Sequence, residues 1–231
     1  MNKSSLLALI LMLFEVSLLF GEKPAYPCFS IEQDSIERQI LYNGRVWRNL
    51  YLRIEGDPYL FSTDFLPGTV TIDGKTFENI LIRYDIYNDQ ILILTDKIII
   101  LQLNKEMVDG FTIKSAEVNY RFKKIDKNDQ SPVSGYVNVV YDKATSLFVK
   151  YKKEIDTSGS DNLFGVFYLI RKIYVTKDGS VQQISSRKQF LKLLQDKKQQ
   201  VKNYIKGNKI KVSKLNPWSF ATILEFYDSV K

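Results

Sequence analysis

The sequence predicts a mainly β fold, α+β overall. An antiparallel meander forms an open barrel or sandwich-like sheet, and short C-terminal amphipathic α-helices follow it. Three observations lead to this prediction. Runs of alternating apolar and polar residues recur between the N-terminal segment and Ile184. Asx-Gly pairs, which favour tight hairpin turns, separate several of these runs. From Ser186 onward the apolar period changes from two to 3.6, the repeat of an amphipathic helix.

The clearest β pattern lies in Leu66–Leu94, which reads as a three-strand meander. Asp73-Gly74 is a type I′ turn signal because both central residues must adopt positive φ. Phe77 is out of phase with the apolar residues before the turn, which predicts a β-bulge near Glu78-Asn79. A second turn is predicted at Asn88-Asp89.

Three further Asx-Gly pairs predict hairpin turns, at Asn43-Gly44, Asp109-Gly110 and Asp178-Gly179. The first of them would join strands at Gln39–Tyr42 and Arg45–Ile54. Lys127–Gly135 is rich in turn-forming residues and lacks an apolar pattern, so it is the best candidate for an internal boundary or a long loop.

The C-terminal region carries start and stop signals for helices. Ser186 and Gln189 form a capping box at the first start. Asp196 is the predicted N-cap of a restarted helix, which Gly207-Asn208 would end in a left-handed conformation. Asn216-Pro217 opens the last helix. Its apolar stripe consists of Phe220, Ile223, Leu224 and Tyr227.

Three regions follow from these patterns: a signal peptide at 1–21, an antiparallel β-rich domain at 22–185, and a Lys-rich helical segment at 186–231 that packs on the sheet. A lysine precedes the apolar run Leu6–Phe20, the layout of a secretory signal peptide. Glu15 interrupts the run and Leu19-Phe20-Gly21 is a poor cleavage site, which leaves an uncleaved anchor as the alternative. However, the run is shorter than the roughly 20 residues of a spanning helix, and no later stretch is long enough. We therefore expect an exported protein, located in the periplasm or at the cell surface.

Cysteine and histidine usage restricts the chemistry. Cys28 is the single cysteine, so an internal disulfide framework is excluded. Acylation of Cys28 is disfavoured because Pro27 stands where a small residue is expected, and a free thiol is the simpler interpretation. The chain contains no histidine, which removes Ser-His-Asp and Cys-His catalysis and the commonest transition-metal ligand. We predict no catalytic residue, no metal and no cofactor.

Positive charge is concentrated near the C-terminus. Between Arg187 and Lys214, ten basic residues accompany one acid, Asp196, which makes this segment +9; the whole chain is +7, so the remainder sums to −2. The simplest interpretation is a solvated helical face. The alternative is contact with an anionic surface such as lipid head groups, lipopolysaccharide or an acidic envelope protein. Nucleic acid is disfavoured by export and because lysine greatly outnumbers arginine. The candidate contact residues are Lys188, Lys192, Lys198, Lys202 and Lys206.

Two other features are candidates for a catalytic, metal-binding or ligand-binding site. Asp85, Tyr87 and Asp89 would share one face if their strand continued, and paired carboxylates can serve acid/base chemistry or hold Ca²⁺. No third ligand is identifiable, so a polar strand edge and turn is the favoured interpretation. The apolar runs Ile91–Leu94 and Ile98–Leu101 could line a cavity for an apolar ligand, although most such runs are ordinary core.

Two segments resemble a known group of proteins. Leu66–Ile91, with its "G-x-V", "F-E-N" and "YD-x-x-x-D" elements, looks like a recurrent segment of uncharacterised exported proteins of Bacteroidota-type bacteria. Ser186–Val212 is similar to the Lys-rich tail of the same proteins. The resemblance implies export, a β-rich body and a cell-envelope setting, and it implies no site residue.

The favoured function is therefore that of a non-enzymatic binding or interaction module of the cell envelope, with an envelope protein or an anionic lipid surface as its partner. The alternative is a periplasmic carrier of a lipid or other apolar ligand. An enzyme would need a carboxylate-based or Tyr/Lys-based mechanism without histidine.

Overall fold

In the computed structural model, which describes residues 39–127, 131–158 and 164–230, eleven strands form one antiparallel sheet that is not closed. The spatial order is β1-β5-β4-β3-β2-β6-β7-β8-β9-β10-β11, so most neighbours in the sheet are also neighbours in sequence. The mainly β prediction is confirmed. The strands are β1 (Arg45–Val46), β2 (Leu66–Ile72), β3 (Lys75–Asp85), β4 (Gln90–Leu94), β5 (Ile100–Gln102), β6 (Val108–Ser115), β7 (Val118–Ile125), β8 (Gly135–Asp142), β9 (Ser146–Asp156), β10 (Val166–Lys177) and β11 (Ser180–Ile184).

The predicted meander is present as β2, β3 and β4. Asp73 and Gly74 have φ of 48° and 76°, as a type I′ turn requires. Between β2 and β3, Gly68 pairs with Ile80 but Val70 pairs with Phe77. The register shift places an extra residue at Glu78-Asn79, where Asn79 has φ 57°, so the predicted bulge is confirmed.

Two of the other Asx-Gly predictions are wrong. Residues 39–41 are helical, and β1 pairs with β5, so Asn43-Gly44 does not join a hairpin of adjacent strands. Asp109-Gly110 lies inside β6, at a register shift against β2, where the Asp109 carboxylate accepts a hydrogen bond from the Gly74 N–H. By contrast, Asp178-Gly179 joins β10 to β11 as predicted, with positive φ at both residues.

An aromatic cluster fills the core where the middle strands meet. Phe111 and Phe122 are direct cross-strand partners and their rings stack with centroids 4.6 Å apart. Tyr84 and Tyr136 pack edge-on against Phe111, at 5.0 and 5.2 Å. All four rings are at most 2 % exposed, so this cluster anchors β3, β6, β7 and β8 together.

Residues 55–63, which we call the crossing loop, fold back over the sheet before β2 begins. The Glu55 N–H donates to the carbonyl of Gly165, and the Glu55 carbonyl accepts from the N–H of Phe167 at the start of β10. The Leu60 N–H donates to the carbonyl of Tyr84 at the end of β3. Beneath this loop the Arg83 guanidinium lies against the rings of Tyr59 and Phe65, at 4.7 and 4.0 Å. The loop is therefore held at Glu55 and at Leu60, and its residues 57–63 stand above the sheet surface as a wall.

Three helices follow the sheet in the described part of the chain: α1 (Arg187–Leu193), α2 (Lys198–Gly207) and α3 (Trp218–Ser229). The Ser186 hydroxyl caps α1 by accepting from the Gln189 N–H, as predicted. The predicted stripe of α3 is buried, with Phe220, Ile223, Leu224 and Tyr227 at most 1 % exposed. Asp228 of α3 accepts hydrogen bonds from the Tyr141 hydroxyl and the Thr145 N–H, at 3.0 and 2.9 Å, which ties α3 to the β8–β9 hairpin.

The predicted restart between α1 and α2 is present, but two of its details are wrong. Lys197, not Asp196, is the N-cap of α2, because the Asp196 carboxylate is engaged by Lys177 and Tyr227. The left-handed residue after α2 is Lys209, with φ 52°, whereas Asn208 has φ −90°. Lys197 avoids the apolar stripe by turning its ammonium group to the carbonyl of Val230.

The predicted signal peptide, Cys28, and part of the predicted loop at Lys127–Gly135 lie outside the described residues.

Candidate functional site

All five predicted contact lysines lie on the outer surface of the first two helices. Lys188 and Lys192 are four residues apart on α1, and Lys198, Lys202 and Lys206 repeat at the same spacing on α2. Residues four apart share one helix face, so α2 carries a row of three lysines about 12 Å long. We call these five residues the lysine face. All five are exposed, and in the described part of the chain none forms an ion pair with a carboxylate.

The apolar sides of the same helices are already occupied. Phe190 of α1 packs edge-on against Phe220 of α3 at 4.9 Å, and Tyr204 of α2 stacks on Phe226 at 4.0 Å. Val201 of α2 is fully buried. Because these residues hold α1 and α2 against α3, the lysines face outward and no apolar helix face is left to enter a lipid layer.

The single acid of this basic segment does not neutralise the lysine face. Asp196 accepts hydrogen bonds from the Lys177 ammonium at 2.7 Å and from the Tyr227 hydroxyl at 2.6 Å. Burial raises the pKa of Asp196, but these two hydrogen bonds outweigh it and lower the pKa to about 2. The carboxylate therefore serves as a link between β10, α3 and the segment before α2.

A second candidate site is a groove of about 730 Å³ over the central parts of β8, β9 and β10. Its floor is one face of β7 to β10, on which Tyr151 and Arg171 are direct cross-strand partners. One wall is the crossing loop, and the other is the segment that leads into α3. We call this feature the aromatic groove. Its lining residues are Asp57, Tyr59, Leu60, Phe61, Ser62, Thr63, Tyr120, Asn138, Val140, Tyr151, Lys153, Leu169, Arg171, Leu215, Asn216, Pro217 and Trp218.

Aromatic rings dominate both sides of the groove. Phe61 lies 4.2 Å from Tyr120 and 6.2 Å from Tyr151, measured between ring centroids. Phe61 has φ 69°, a conformation that costs a bulky residue about 1–3 kcal/mol. Phe61 and Trp218 nevertheless remain 38 % and 48 % exposed, so the fold leaves two large ring surfaces open to solvent.

The polar groups of the groove differ in how far they are already paired. The Lys153 ammonium binds the carbonyl of Asp57 at 2.6 Å and its carboxylate at 3.0 Å. Asn138 is almost fully buried in the floor. Burial raises the pKa of Tyr151, and a hydrogen bond with Asn138 acts against that increase. Arg171 is exposed, and no carboxylate in the described part of the chain pairs with it.

The acidic residues near the β3–β4 turn form a structural network and not a paired carboxylate site. The strand ends at Asp85, so the alternation that would align Asp85, Tyr87 and Asp89 does not continue. Asp85 is fully buried and accepts hydrogen bonds from the N–H groups of Tyr87 and Asn88. Burial raises the pKa of Asp85, while the bonds from Asn88 oppose that rise.

Asp89 is bound by four other groups, one of them the Tyr136 N–H, which donates to its carboxylate at 3.4 Å. It accepts a hydrogen bond from the Tyr84 hydroxyl and forms ion pairs with Lys105 at 2.6 Å and Lys150 at 2.8 Å. Burial raises the pKa of Asp89, but Lys150 and Lys105 outweigh that effect and hold it below its ordinary value. Burial also lowers the pKa of Lys150, although Asp89 acts in the opposite direction. This network links the β3–β4 turn to the segment between β5 and β6 and to β9.

The runs proposed to line an apolar cavity lie elsewhere. Ile91, Leu92 and Ile93 are packed core residues, at most 2 % exposed, whereas Ile98 sits in a turn and is 82 % exposed. None of these residues lines the aromatic groove. Over the described ranges, no group of three or more His, Cys, Asp or Glu side chains could hold a metal ion.

The aromatic groove was not predicted from the sequence. Its walls come from residues 57–63 and 215–218, and no local pattern connects segments so far apart in the chain. The only sequence signals were the polar loop at Glu55-Gly56-Asp57-Pro58 followed by Tyr59–Phe61, and Trp218 at the start of a helix whose other apolar residues face inward.

Comparison of the chain with protein-family models, curated proteins and solved structures found no match. The resemblance to exported envelope proteins therefore stays a prediction. Within residues 39–127, 131–158 and 164–230, no helix combines the length and the apolar character needed to cross a lipid bilayer.

Proposed function

We propose that the protein is an exported, non-enzymatic interaction module of the cell envelope, and that the lysine face contacts an anionic lipid surface. The observation that supports this proposal most directly is the row of Lys198, Lys202 and Lys206 along α2, exposed and without carboxylate partners among the described residues. Like charges four residues apart destabilise a helix by a few tenths of a kcal/mol. The sequence nevertheless places these like charges together, in its one strongly basic segment.

Electrostatics sets both the strength and the character of the contact. A lysine near an anionic membrane surface contributes about 1 kcal/mol. Five such lysines give at most about 5 kcal/mol, equivalent to a dissociation constant on the order of 0.1–1 mM. Because the apolar sides of α1 and α2 are packed against α3, no insertion adds to this value. We therefore expect a weak, reversible contact that depends strongly on salt.

Vesicle co-sedimentation tests the proposal. The protein is mixed with vesicles of phosphatidylcholine alone or with phosphatidylglycerol added, at about 20 mM and about 500 mM salt. We expect binding only with phosphatidylglycerol and only at low salt, because the Debye length shortens as salt rises.

The matched variants are Lys198→Gln/Lys202→Gln/Lys206→Gln and a control, Lys97→Gln/Lys114→Gln/Lys127→Gln, which removes the same charge from exposed positions elsewhere. The α2 variant should lose binding and the control should retain most of it. Equal losses would mean that net charge alone drives the attraction, and absence of binding by the unaltered protein would exclude the lipid contact. An acidic envelope protein would then be the partner to test.

The carrier hypothesis also stays a prediction. Mass spectrometry of the purified protein and uptake of a fluorescent fatty acid test it, and absence of both signals would exclude it.

A further inference from the structure

The aromatic groove combines ring surfaces with hydrogen-bonding side chains. Phe61 and Trp218 leave large ring areas exposed on opposite walls. Between them, the floor carries the Asn138 amide and the Tyr151 hydroxyl, which hydrogen-bond to each other. A volume of about 730 Å³ lies within the roughly 300–1,000 Å³ typical of sites for small ligands. A purely apolar ligand would cover the exposed Arg171 guanidinium without giving it a partner, which costs about 1–3 kcal/mol or more.

The position of the groove on the sheet indicates how a ligand would be recognised. Of the floor strands, β10 pairs with β11 only over Ile173–Lys177, so beside Leu169 and Arg171 it is paired on one side, with β9, in the described part of the chain. An extended peptide usually binds by adding to a free strand edge, and this part of β10 is such an edge. A ligand that lies over the face of the floor instead meets side chains and ring surfaces, and the variants described below distinguish this mode from strand addition.

The charges of the groove are unbalanced. Asp57 and Lys153 satisfy each other, which leaves the Arg171 guanidinium without a carboxylate partner among the described residues. A guanidinium matches a carboxylate with two parallel hydrogen bonds. The groove therefore complements a ligand that brings its own carboxylate.

We propose that the aromatic groove binds a short saccharide whose sugar rings carry a carboxylate, with the rings stacked on Trp218 and Phe61 and the carboxylate on Arg171. A pyranose ring has an apolar C–H face that suits an aromatic surface, and its edge carries hydroxyl groups that suit Asn138 and Tyr151. This inference is independent of the lysine face, because the two sites share no residue.

Isothermal titration calorimetry of the full chain tests the proposal with three probes: the trisaccharides of galacturonic, mannuronic and guluronic acid. Their methyl esters serve as neutral controls with the same rings. We expect at least one acid to bind and its methyl ester to bind about five- to tenfold more weakly, because the ester cannot form the ion pair.

Matched variants separate the groups involved. Arg171→Gln should weaken binding of the acid to the level of the ester, whereas Lys172→Gln should have no effect, because the next residue of β10 points to the opposite face. Trp218→Ala should weaken binding of both acid and ester about tenfold or more, since it removes a stacking surface. Circular dichroism verifies that each variant is folded. The Lys198→Gln/Lys202→Gln/Lys206→Gln variant should bind as tightly as the unaltered protein.

Several results would overturn the proposal. They are absence of binding by all three acids at millimolar concentration, equal affinity for acid and ester, and equal losses in Arg171→Gln and Lys172→Gln. Binding of an acidic proline-rich peptide that competes for Trp218 while no saccharide binds would also overturn it, and would make the groove a peptide site.

Discussion

Replacing Asp89 by asparagine should destabilise the fold by about 2–3 kcal/mol. In the structure this carboxylate accepts a hydrogen bond from Tyr84 and pairs with Lys105 and Lys150. Hydrogen bonds to a charged group contribute about 1.5–3 kcal/mol each. The expected loss is smaller than the sum of these contributions for two reasons. The Lys105 side chain is 35 % exposed, so solvent screens its ion pair with Asp89. Asparagine also keeps one hydrogen-bond acceptor at this position. Asp89→Asn leaves the Lys150 side chain, 16 % exposed, without its counter-charge.

Urea and thermal unfolding followed by circular dichroism measure this change, and a loss of about 2–3 kcal/mol corresponds to roughly 5–10 °C for a domain of this size. Asp73→Asn is the matched control. Asp73 also lies at positive φ in a hairpin turn, but it has no ion pair among the described residues. If Asp89→Asn unfolds within about 0.5 kcal/mol of Asp73→Asn, the network does not stabilise the fold and the reasoning is wrong.

The pH dependence gives an independent test of the same residue. The pKa of Asp89 is lowered in the folded protein, so its stabilisation is complete above the unfolded value of about 3.9 and is lost as pH falls through the folded value. The stability difference between wild type and Asp89→Asn should therefore be constant between about pH 5 and 7 and shrink below about pH 4. A difference that does not change down to pH 2 would contradict the ion-pair explanation.

Three further variants test other parts of the structure. Gly135→Ala should cost about 2–4 kcal/mol, because Gly135 has φ 77° and an added Cβ would overlap with Asp89 Oδ2. A smaller loss in an Asp89→Ala background, which removes the overlapping carboxylate, would confirm the contact in a double-mutant cycle, and strict additivity would refute it. Phe61→Asn should change the free energy of unfolding by less than about 1 kcal/mol, since asparagine tolerates φ 69°. Calorimetry should show that the same variant binds the saccharide more weakly. A decrease of more than about 3 kcal/mol in the free energy of unfolding would instead identify Phe61 as a core residue. Asp196→Asn should lower the free energy of unfolding by about 0.5–1 kcal/mol at pH 7. The loss is small because the partners Lys177 and Tyr227 remain and because the Asp196 side chain is 46 % exposed, so that solvent screens its charge. Unfolding at pH 7 and pH 2 should show that this loss disappears as pH falls through the Asp196 pKa of about 2, and an equal loss at both pH values would be inconsistent with a charged link.

The features that were predicted correctly depend on local chemistry. Asp73-Gly74 forms its turn because both residues accept positive φ, and the phase of Phe77 required the bulge at Glu78-Asn79. The stripe of α3 is buried because an amphipathic helix of this length must pack its apolar side.

The features that were missed depend on contacts between distant segments. Asp109-Gly110 has the composition of a turn, but β2 pairs beside it and draws it into a strand. Asp196 has the composition of an N-cap, but Lys177 and Tyr227, both far away in sequence, bind its carboxylate more favourably. The aromatic groove is the extreme case, because its two walls are about 150 residues apart in the chain.

The most direct test of the proposed function is the fraction of protein bound to phosphatidylglycerol vesicles as a function of ionic strength. The proposal predicts a steep decrease with salt for the unaltered chain and a much flatter, weaker dependence for Lys198→Gln/Lys202→Gln/Lys206→Gln. Salt-independent binding, or identical curves for the two proteins, would contradict an electrostatic contact through the lysine face.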